Sequence, residues 1–165
     1  MTAQFAEEIA FQGMALQMLD TPLDLWLEIS GQHKRFFPTA SALERGYVGH
    51  WQVLDNRLYL VGIDGMFKNN CRPRLSDLFP GAGKRVFAHW VTREVRCPRG
   101  RMLRYSHAGF GSEFERDLFL RFKQGVLMGT REVVNGVSTD SRAPTRYGPG
   151  AMVVYGSNPN FPCRR

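Results

Sequence analysis

The chain has 165 residues, 43% of them hydrophobic and 12% aromatic, and carries a formal net charge of +7. A chain of this size buries roughly 70% of its unfolded surface and can build a core without metal or disulfide bonds. No apolar run approaches the ~18 residues of a membrane-spanning helix, and residues 1–8 lack the basic start of an export signal. The 17 glycines and 9 prolines favour strands and turns over long helices.

The three cysteines, Cys71, Cys97 and Cys163, are odd in number and form no CxxC pair. This pattern is typical of reduced thiols, because disulfide frameworks and zinc sites need paired cysteines. The sequence therefore predicts a cytoplasmic protein with no cofactor, no metal and no membrane association.

Residues 5–19 are compatible with two structures. In a helix, Phe5, Ile9 and Gly13 would fall about four residues apart, whereas in a hairpin two alternating arms would meet at Gly13. Glycine inside a helix costs about 1 kcal/mol relative to alanine, and this cost favours the hairpin.

Thr21-Pro22 predicts the start of a short helix over residues 22–30, because threonine is a good N-cap and proline is favoured at the first helical position. Gly31 would end this helix. The apolar residues of the segment also alternate as in a strand, which is the alternative. Ser76–Phe79 predicts a single helical turn.

Residues 45–65 form the clearest element of the sequence, a β-hairpin. Its arms, 47–54 and 57–63, are rich in aromatic and β-branched residues, which suit a pleated and half-buried surface. Asp55 and Asn56 between the arms tolerate the positive φ angles of a tight two-residue turn.

The second half of the chain predicts more strands. Residues 84–97 are expected to form one long strand, or a strand bent near Thr92, which Pro98-Arg99-Gly100 then turns back. Residues 112–122 alternate apolar and polar positions and residues 126–134 predict a further strand, with a hairpin turn at Lys123-Gln124-Gly125.

Together these patterns predict one β-rich α+β domain over residues 1–135, in which antiparallel hairpins form a curved sheet with one or two short helices. Residues 136–165 are rich in glycine and proline and predict an extended tail. The predicted core contains Trp51, Val53, Leu58, Leu60, Trp90, Leu118 and Leu120.

Histidines are the main candidates for catalysis. His50, His89 and His107 are candidate general acids and bases, because an unperturbed imidazole titrates near ~6.5. His50 and His89 each precede a tryptophan in a predicted strand, and pairing of those strands would bring the two rings together. No two histidines lie close enough in sequence for a metal motif, so no metal site is predicted.

Charge is distributed unevenly along the chain. Residues 1–44 contain two basic and six acidic side chains, whereas residues 67–104 contain ten basic and two acidic ones. A basic block can mark a surface for nucleic acids, although arginine and lysine also solubilise loops and protect edge strands. The candidate polyanion-binding residues are Arg72, Arg74, Lys84, Arg85, Arg99 and Arg101.

Four short motifs occur along the chain: Arg45-Gly46-Tyr47-Val48 with Trp51, Leu58–Val61, Leu75–Pro80, and Val86-Phe87-Ala88 with Trp90. Together they resemble a set of small bacterial proteins of uncharacterised function. The resemblance covers residues 5–134 and implies a bacterial β-rich domain, without any catalytic residue.

Because no catalytic motif is present, we expect a non-enzymatic cytoplasmic interaction or binding module, with a protein partner or self-association. One alternative is a small enzyme with a histidine-containing cleft. The other is a weak binder of polyanions or nucleic acids through the basic block of residues 72–104.

Overall fold

The computed structural model describes residues 2–147, and these form a single sheet of eight mostly antiparallel strands. The strands are β1 (Glu7–Phe11), β2 (Met14–Met18), β3 (Tyr47–Leu54), β4 (Arg57–Gly65), β5 (Val86–Phe87), β6 (Arg93–Arg104), β7 (Glu113–Lys123) and β8 (Val126–Val134). The α-helices of this part of the chain are α1 (Leu23–Ile29) and α2 (Leu75–Leu78). The predicted β-rich α+β class is confirmed.

The strands follow the order β2-β1-β3-β4-β8-β7-β6, and β5 pairs with β4 beside this path. β1 and β3 run parallel, whereas the hairpin partners run antiparallel. β4 meets β8 at a single register pair, Arg57 with Val126. β2 and β6 are the two edges of this order, and the Leu19 N–H just after β2 donates to the Arg96 carbonyl of β6 at 2.8 Å. The sheet therefore curves until its two edges meet at this point, although β2 and β6 do not pair as strands.

Tight turns close the hairpins where the sequence predicts them. Asp55 and Asn56, with φ of 48° and 57°, join β3 to β4, and Gln124 and Gly125, with φ of 48° and 77°, join β7 to β8. Gly13 has φ of 74° between β1 and β2, which confirms the hairpin for residues 5–19. Positive φ at both central positions matches the twist of the flanking strands.

α1 confirms the helical interpretation of residues 22–30. Pro22 occupies the N-cap position and no side chain caps the helix, so the predicted capping role of Thr21 is wrong. Trp26 of α1 stacks on Phe79 with ring centroids 5.0 Å apart, and this contact holds the helix against the segment after α2. α2 confirms the second predicted helical turn.

The prediction for residues 84–104 is wrong in two respects. β5 ends at Phe87 and β6 begins at Arg93, so the chain turns between them instead of forming one long strand. The alternative, a bend near Thr92, agrees with the position of this interruption but not with its length of five residues, 88–92. Pro98-Arg99-Gly100 does not reverse the chain, because β6 continues through it with one extra residue relative to β7. Gly100, with φ of 80°, absorbs this bulge.

The core lies on the concave side of the sheet. Five of the seven predicted core residues are buried: Trp51, Leu58, Leu60, Leu118 and Leu120. Val53 and Trp90 are only partly buried and pack against the margin of the core. Trp90 lies in the turn after β5, where its indole N–H donates to the Pro22 carbonyl at 2.9 Å.

Part of the predicted tail is tied to the sheet. Tyr147 is 3% exposed and packs in a small cluster with Leu19 and Phe114. The Gln17 side chain of β2 donates to the Tyr147 carbonyl at 2.6 Å and accepts from its N–H at 2.5 Å. The rest of the predicted tail, residues 148–165, lies outside the described residues.

The cysteines differ from the expectation. Cys97 is free and buried, and burial raises the pKa of its thiol to about 12. Cys71 is disulfide-bonded, so the prediction of a reduced thiol is wrong at this position. Cys163 lies outside the described residues. Within residues 2–147 no helix combines the length and the apolar character that crossing a membrane requires.

Candidate functional site

Two arginines and two aromatic rings form a compact cluster on the outer face of β4 and β5. Tyr59 and Phe87 are opposite each other in the antiparallel register, with ring centroids 5.8 Å apart. The guanidinium carbon of Arg85 lies 4.7 Å from the Tyr59 ring centroid, and that of Arg57 lies 5.7 Å from the Phe87 ring centroid. We call these four residues the arginine–ring cluster.

Strand alternation places the arginine–ring cluster on the convex side of the sheet. Leu58 and Leu60 are fully buried, so Tyr59 between them points outward. Arg57 precedes Tyr59 by two residues, and Arg85 precedes Phe87 by two. Because the strands are antiparallel, the two arginines flank the ring pair in opposite directions, about four residues or ~13 Å apart along the strands.

The turn between β7 and β8 holds β5 in place. The Gly125 carbonyl accepts from the Leu58 N–H at 2.8 Å, and the Gly125 N–H donates to the Val91 carbonyl at 2.8 Å. A Cβ at Gly125 would lie 2.6 Å from the Ala88 carbonyl oxygen and 2.9 Å from the Phe87 ring. The close approach of this turn fixes Phe87 beside its partner ring.

The cluster carries uncompensated positive charge. Arg57 and Arg85 are exposed, and within residues 2–147 neither has an ion-pair partner. Lys84 is exposed directly before Arg85, and Asp55 in the exposed β3–β4 turn forms no ion pair with Arg57. Other arginines pair with carboxylates, namely Arg93 with Asp20, Arg96 with Asp117, Arg99 and Arg116 with Glu132, Arg104 with Glu113, and Arg131 with Glu94.

Of the six polyanion candidates, the structure brings Lys84 and Arg85 to the arginine–ring cluster. Arg99 lies on β6 and pairs with Glu132 of β8 at 3.3 Å. Arg101 also lies on β6, where its backbone N–H donates to the Glu115 carboxylate at 2.9 Å. The Glu132 carboxylate of β8 therefore compensates the charge of Arg99, whereas the guanidinium of Arg101 has no ion pair within residues 2–147.

The remaining two candidates lie near α2. Arg74 immediately precedes the helix, and its backbone N–H donates to the Asp77 carboxylate at 2.8 Å in a capping arrangement. Arg72 lines a surface cavity of 240 Å³ together with Asp64 at the end of β4. Both residues are exposed, but neither contacts the rings of the cluster.

His50 lies on the outer face of β3 between two carboxylates. Its Nδ1 is 3.1 Å from Glu8 of β1, and its Nε2 is 2.6 Å from Asp64 of β4. The residue opposite it in the register is Gly62, where a Cβ would make only ordinary van der Waals contact with His50. Both nitrogens donate to carboxylates only in the imidazolium form, and in that form neither is available to accept a proton.

The other candidate histidines have different surroundings. His89 packs edge-on against Trp90 and Trp26, with ring centroids 5.5 Å and 5.9 Å away. His107 packs edge-on against Tyr105 with ring centroids 4.7 Å apart. The three histidines share no ion-pair or ring partner in the described part of the chain. Their shared role in a cleft stays a prediction.

Glu7 is a buried acid that the sequence interpretation missed. Its Oε2 accepts from the Trp51 indole N–H at 2.6 Å, and its Oε1 is 3.3 Å from Nε of Arg45. Burial raises the pKa of this carboxyl to about 7, against the opposing effects of Arg45 and of the hydrogen bonds from Trp51 and Gly49. A Cβ at Gly49 would lie 2.7 Å from the same indole nitrogen and still closer to the carboxylate. Glu7 thus fastens β1 to β3.

A second cavity, of 420 Å³, opens beside β6, β7 and β8, and Arg121 and Met128 are among its lining residues. Glu94, which also lines it, is held by Arg131, and the Arg131 guanidinium carbon lies 3.9 Å from the Phe119 ring centroid. At this second arginine–ring contact, Glu94 compensates the charge of Arg131. Residues 2–147 contain no group of three histidines, cysteines or acids that could hold a metal ion.

Of the cluster residues, Arg85 was predicted from the sequence as a polyanion contact, whereas Arg57, Tyr59 and Phe87 were not. The sequence did contain a signal for Arg57 and Tyr59, because they alternate with the apolar residues Leu58 and Leu60 in the predicted hairpin and therefore lie on its outer face. The sequence pattern does not show that β5 pairs with β4. Comparison with protein-family models, curated proteins and solved structures found no match.

Proposed function

We propose that the chain is a non-enzymatic binding module that contacts a polyanionic partner through the arginine–ring cluster. The observation that supports this proposal is the environment of Arg57 and Arg85, which have aromatic rings rather than carboxylates as neighbours. A guanidinium on a ring keeps its N–H edge open for anions, and it loses less side-chain freedom on binding.

The charge of the whole chain supports the same proposal. A net charge of +7 attracts polyanions over a distance and increases the rate of encounter at low salt. Lys84 adds a third exposed cation beside the cluster. The paired arginines of β6 and β8 contribute less, because a salt bridge must break before they bind another anion.

An enzyme that uses a histidine-containing cleft is the weaker candidate. His50 has the best-defined surroundings of the three histidines, but both of its ring nitrogens are engaged by carboxylates. General base catalysis requires a nitrogen that can accept a proton from the substrate. Binding alone is therefore the function that we propose.

The bacterial origin and the cytoplasmic location of the module stay predictions. A disulfide at Cys71 is typical of an oxidising compartment and counts against the cytoplasm. Because Cys71 is buried in the folded protein, thiols are alkylated while the cells are lysed in denaturant, and mass spectrometry of the Cys71 peptide then distinguishes the two locations. An alkylated Cys71 supports the cytoplasm, and a protected one contradicts it.

The proposal is tested by binding to random-sequence duplex DNA, used as a generic polyanion, at increasing salt concentrations. The test variant replaces both cluster arginines, Arg57→Gln and Arg85→Gln. The matched control, Arg99→Gln with Arg131→Gln, removes the same charge from ion-paired positions. Each phosphate contact contributes about −0.9 to the slope of log K against log salt, so the test variant loses about 1.8 of slope and at least about tenfold in affinity at low salt.

The control variant is expected to retain most of the slope and affinity of the wild-type protein. Equal losses in the two variants would mean that only net charge matters and that the cluster is not the contact surface. Absence of wild-type binding at low salt would refute the proposal outright.

A further inference from the structure

We propose that the polyanion is a single-stranded nucleic acid whose bases stack on the arginine–ring cluster. This inference rests on the proposed function and adds the class of ligand to it. Proteins that bind single strands without sequence preference combine a basic surface with aromatic side chains on which successive bases stack. The cluster contains both components within one pair of strands.

The rings are accessible enough to take part in stacking. Tyr59 and Phe87 are half-buried rather than buried, and their planes are tilted by 54°. Each ring carries a guanidinium, and the outer side of a guanidinium plane is itself a stacking surface for a base. A base therefore meets a flat surface at either arginine or at an exposed part of either ring.

The positions of the two arginines suit a strand that passes over the rings. Their Cα atoms lie ~13 Å apart along the strands on opposite sides of the ring pair, and their guanidiniums lie over the rings. Phosphates follow one another every ~3.4 Å along a stacked strand, so the arginines reach phosphates on both sides of a short run of nucleotides. Lys84 extends the basic surface at the Arg85 side.

Duplex DNA and acidic proteins can contact the arginines of the cluster but not its rings. In a duplex the base faces are already stacked, and the convex face of a sheet does not enter a groove as a helix or a two-stranded ribbon does. An acidic peptide engages the arginines but has no flat groups for the rings. Unpaired bases on a phosphate backbone use both components.

The test compares a twelve-nucleotide thymidine strand with an abasic strand of the same length and charge, each followed by fluorescence anisotropy. Because one stacked base contributes roughly 1–3 kcal/mol, a factor of about 5 to 150, the wild-type protein is expected to bind the thymidine strand about tenfold more tightly. Replacing both rings, Tyr59→Leu and Phe87→Leu, is expected to remove most of the thymidine preference, and abasic binding is expected to fall by less than thymidine binding because it depends on the arginines alone. The matched control is Phe119→Leu, which removes the ring below Arg131.

Each outcome has a defined meaning. Equal binding of the two strands by the wild-type protein overturns base stacking, yet the proposed function survives if that binding still depends on Arg57 and Arg85. Loss of the thymidine preference in the Phe119→Leu variant also overturns the inference. Failure of both strands to bind refutes the proposed function as well. The wild-type comparison needs no substitution, so it decides the inference even if the double variant does not fold.

Discussion

At the scale of single residues, the buried carboxyl of Glu7 is the feature with the clearest physical consequence. Ionising a buried carboxyl costs free energy, and the indole of Trp51, the Arg45 guanidinium and the Gly49 amide compensate only part of that cost. The residue pattern contained a signal for this arrangement, because Glu7 shares its strand face with Ile9 and Phe11. An acid at an inward position predicts an internal partner, but the partner itself depends on the fold.

The pKa of Glu7 predicts how stability changes with pH. The folded pKa of about 7 lies above the reference value of 4.5, so the folded protein binds more protons than the unfolded chain between these values. The stabilisation is fully present below pH 4.5 and is lost as pH rises through 7, a loss of roughly 3 kcal/mol. A Glu7→Gln variant lacks this loss.

Urea unfolding at several pH values measures the difference between the two proteins. Acids whose pKa is lowered by their partners, Glu94, Glu113 and Glu115, give the opposite trend at lower pH in both proteins and cancel in the difference. Glu28→Gln, at an exposed position of α1, serves as the control. A difference that does not vary with pH between 4.5 and 7 would contradict the assignment.

At the scale of elements, the hairpins were predictable and the segment between β4 and β6 was not. Local turn residues determine the hairpins, and Asp55-Asn56 and Gly13 suffice to locate two of them. β5 is two residues long, and its position depends on contacts with Leu58 and with the distant β7–β8 turn. A prediction from strand propensity alone therefore joined β5 and β6 into one strand.

Gly125→Ala tests whether the β7–β8 turn supports β5. Gly13 has nearly the same φ, 74° against 77°, but a Cβ at Gly13 has no heavy atom within 4 Å, whereas one at Gly125 is in close contact with Ala88. Alanine in this backbone region costs about 1–2 kcal/mol at both positions. Overpacking is expected to add about 1–3 kcal/mol at position 125.

Chemical denaturation of the two alanine variants and the wild-type protein gives this difference directly. The Gly125→Ala variant is also expected to weaken polyanion binding, since Phe87 loses its support, while the Gly13→Ala variant binds as the wild type does. Equal destabilisation of the two variants would show that the turn does not support β5.

At the scale of the whole molecule, the strand order could not be predicted from the sequence. The parallel pairing of β1 with β3 and the single register pair between β4 and β8 join segments that no turn connects. These long-range pairings also decide which charges are compensated, because β7 and β8 bring carboxylates to the arginines of β6, and β6 brings Glu94 to Arg131 of β8. The basic block of the sequence therefore forms two kinds of surface, one whose arginines pair with carboxylates and an open one whose arginines have no ion pair within residues 2–147.

The arginine–ring cluster belongs to the open kind, and its role as the contact surface is the central claim. Nuclear magnetic resonance measures it most directly, by following backbone amide shifts as the thymidine strand is added to the ¹⁵N-labelled protein at low salt. We expect the largest changes at residues 57–61 and 84–89, with small changes on β6 and β8. Changes centred on Arg99 and Arg131, or spread evenly over all exposed basic residues, would contradict the claim.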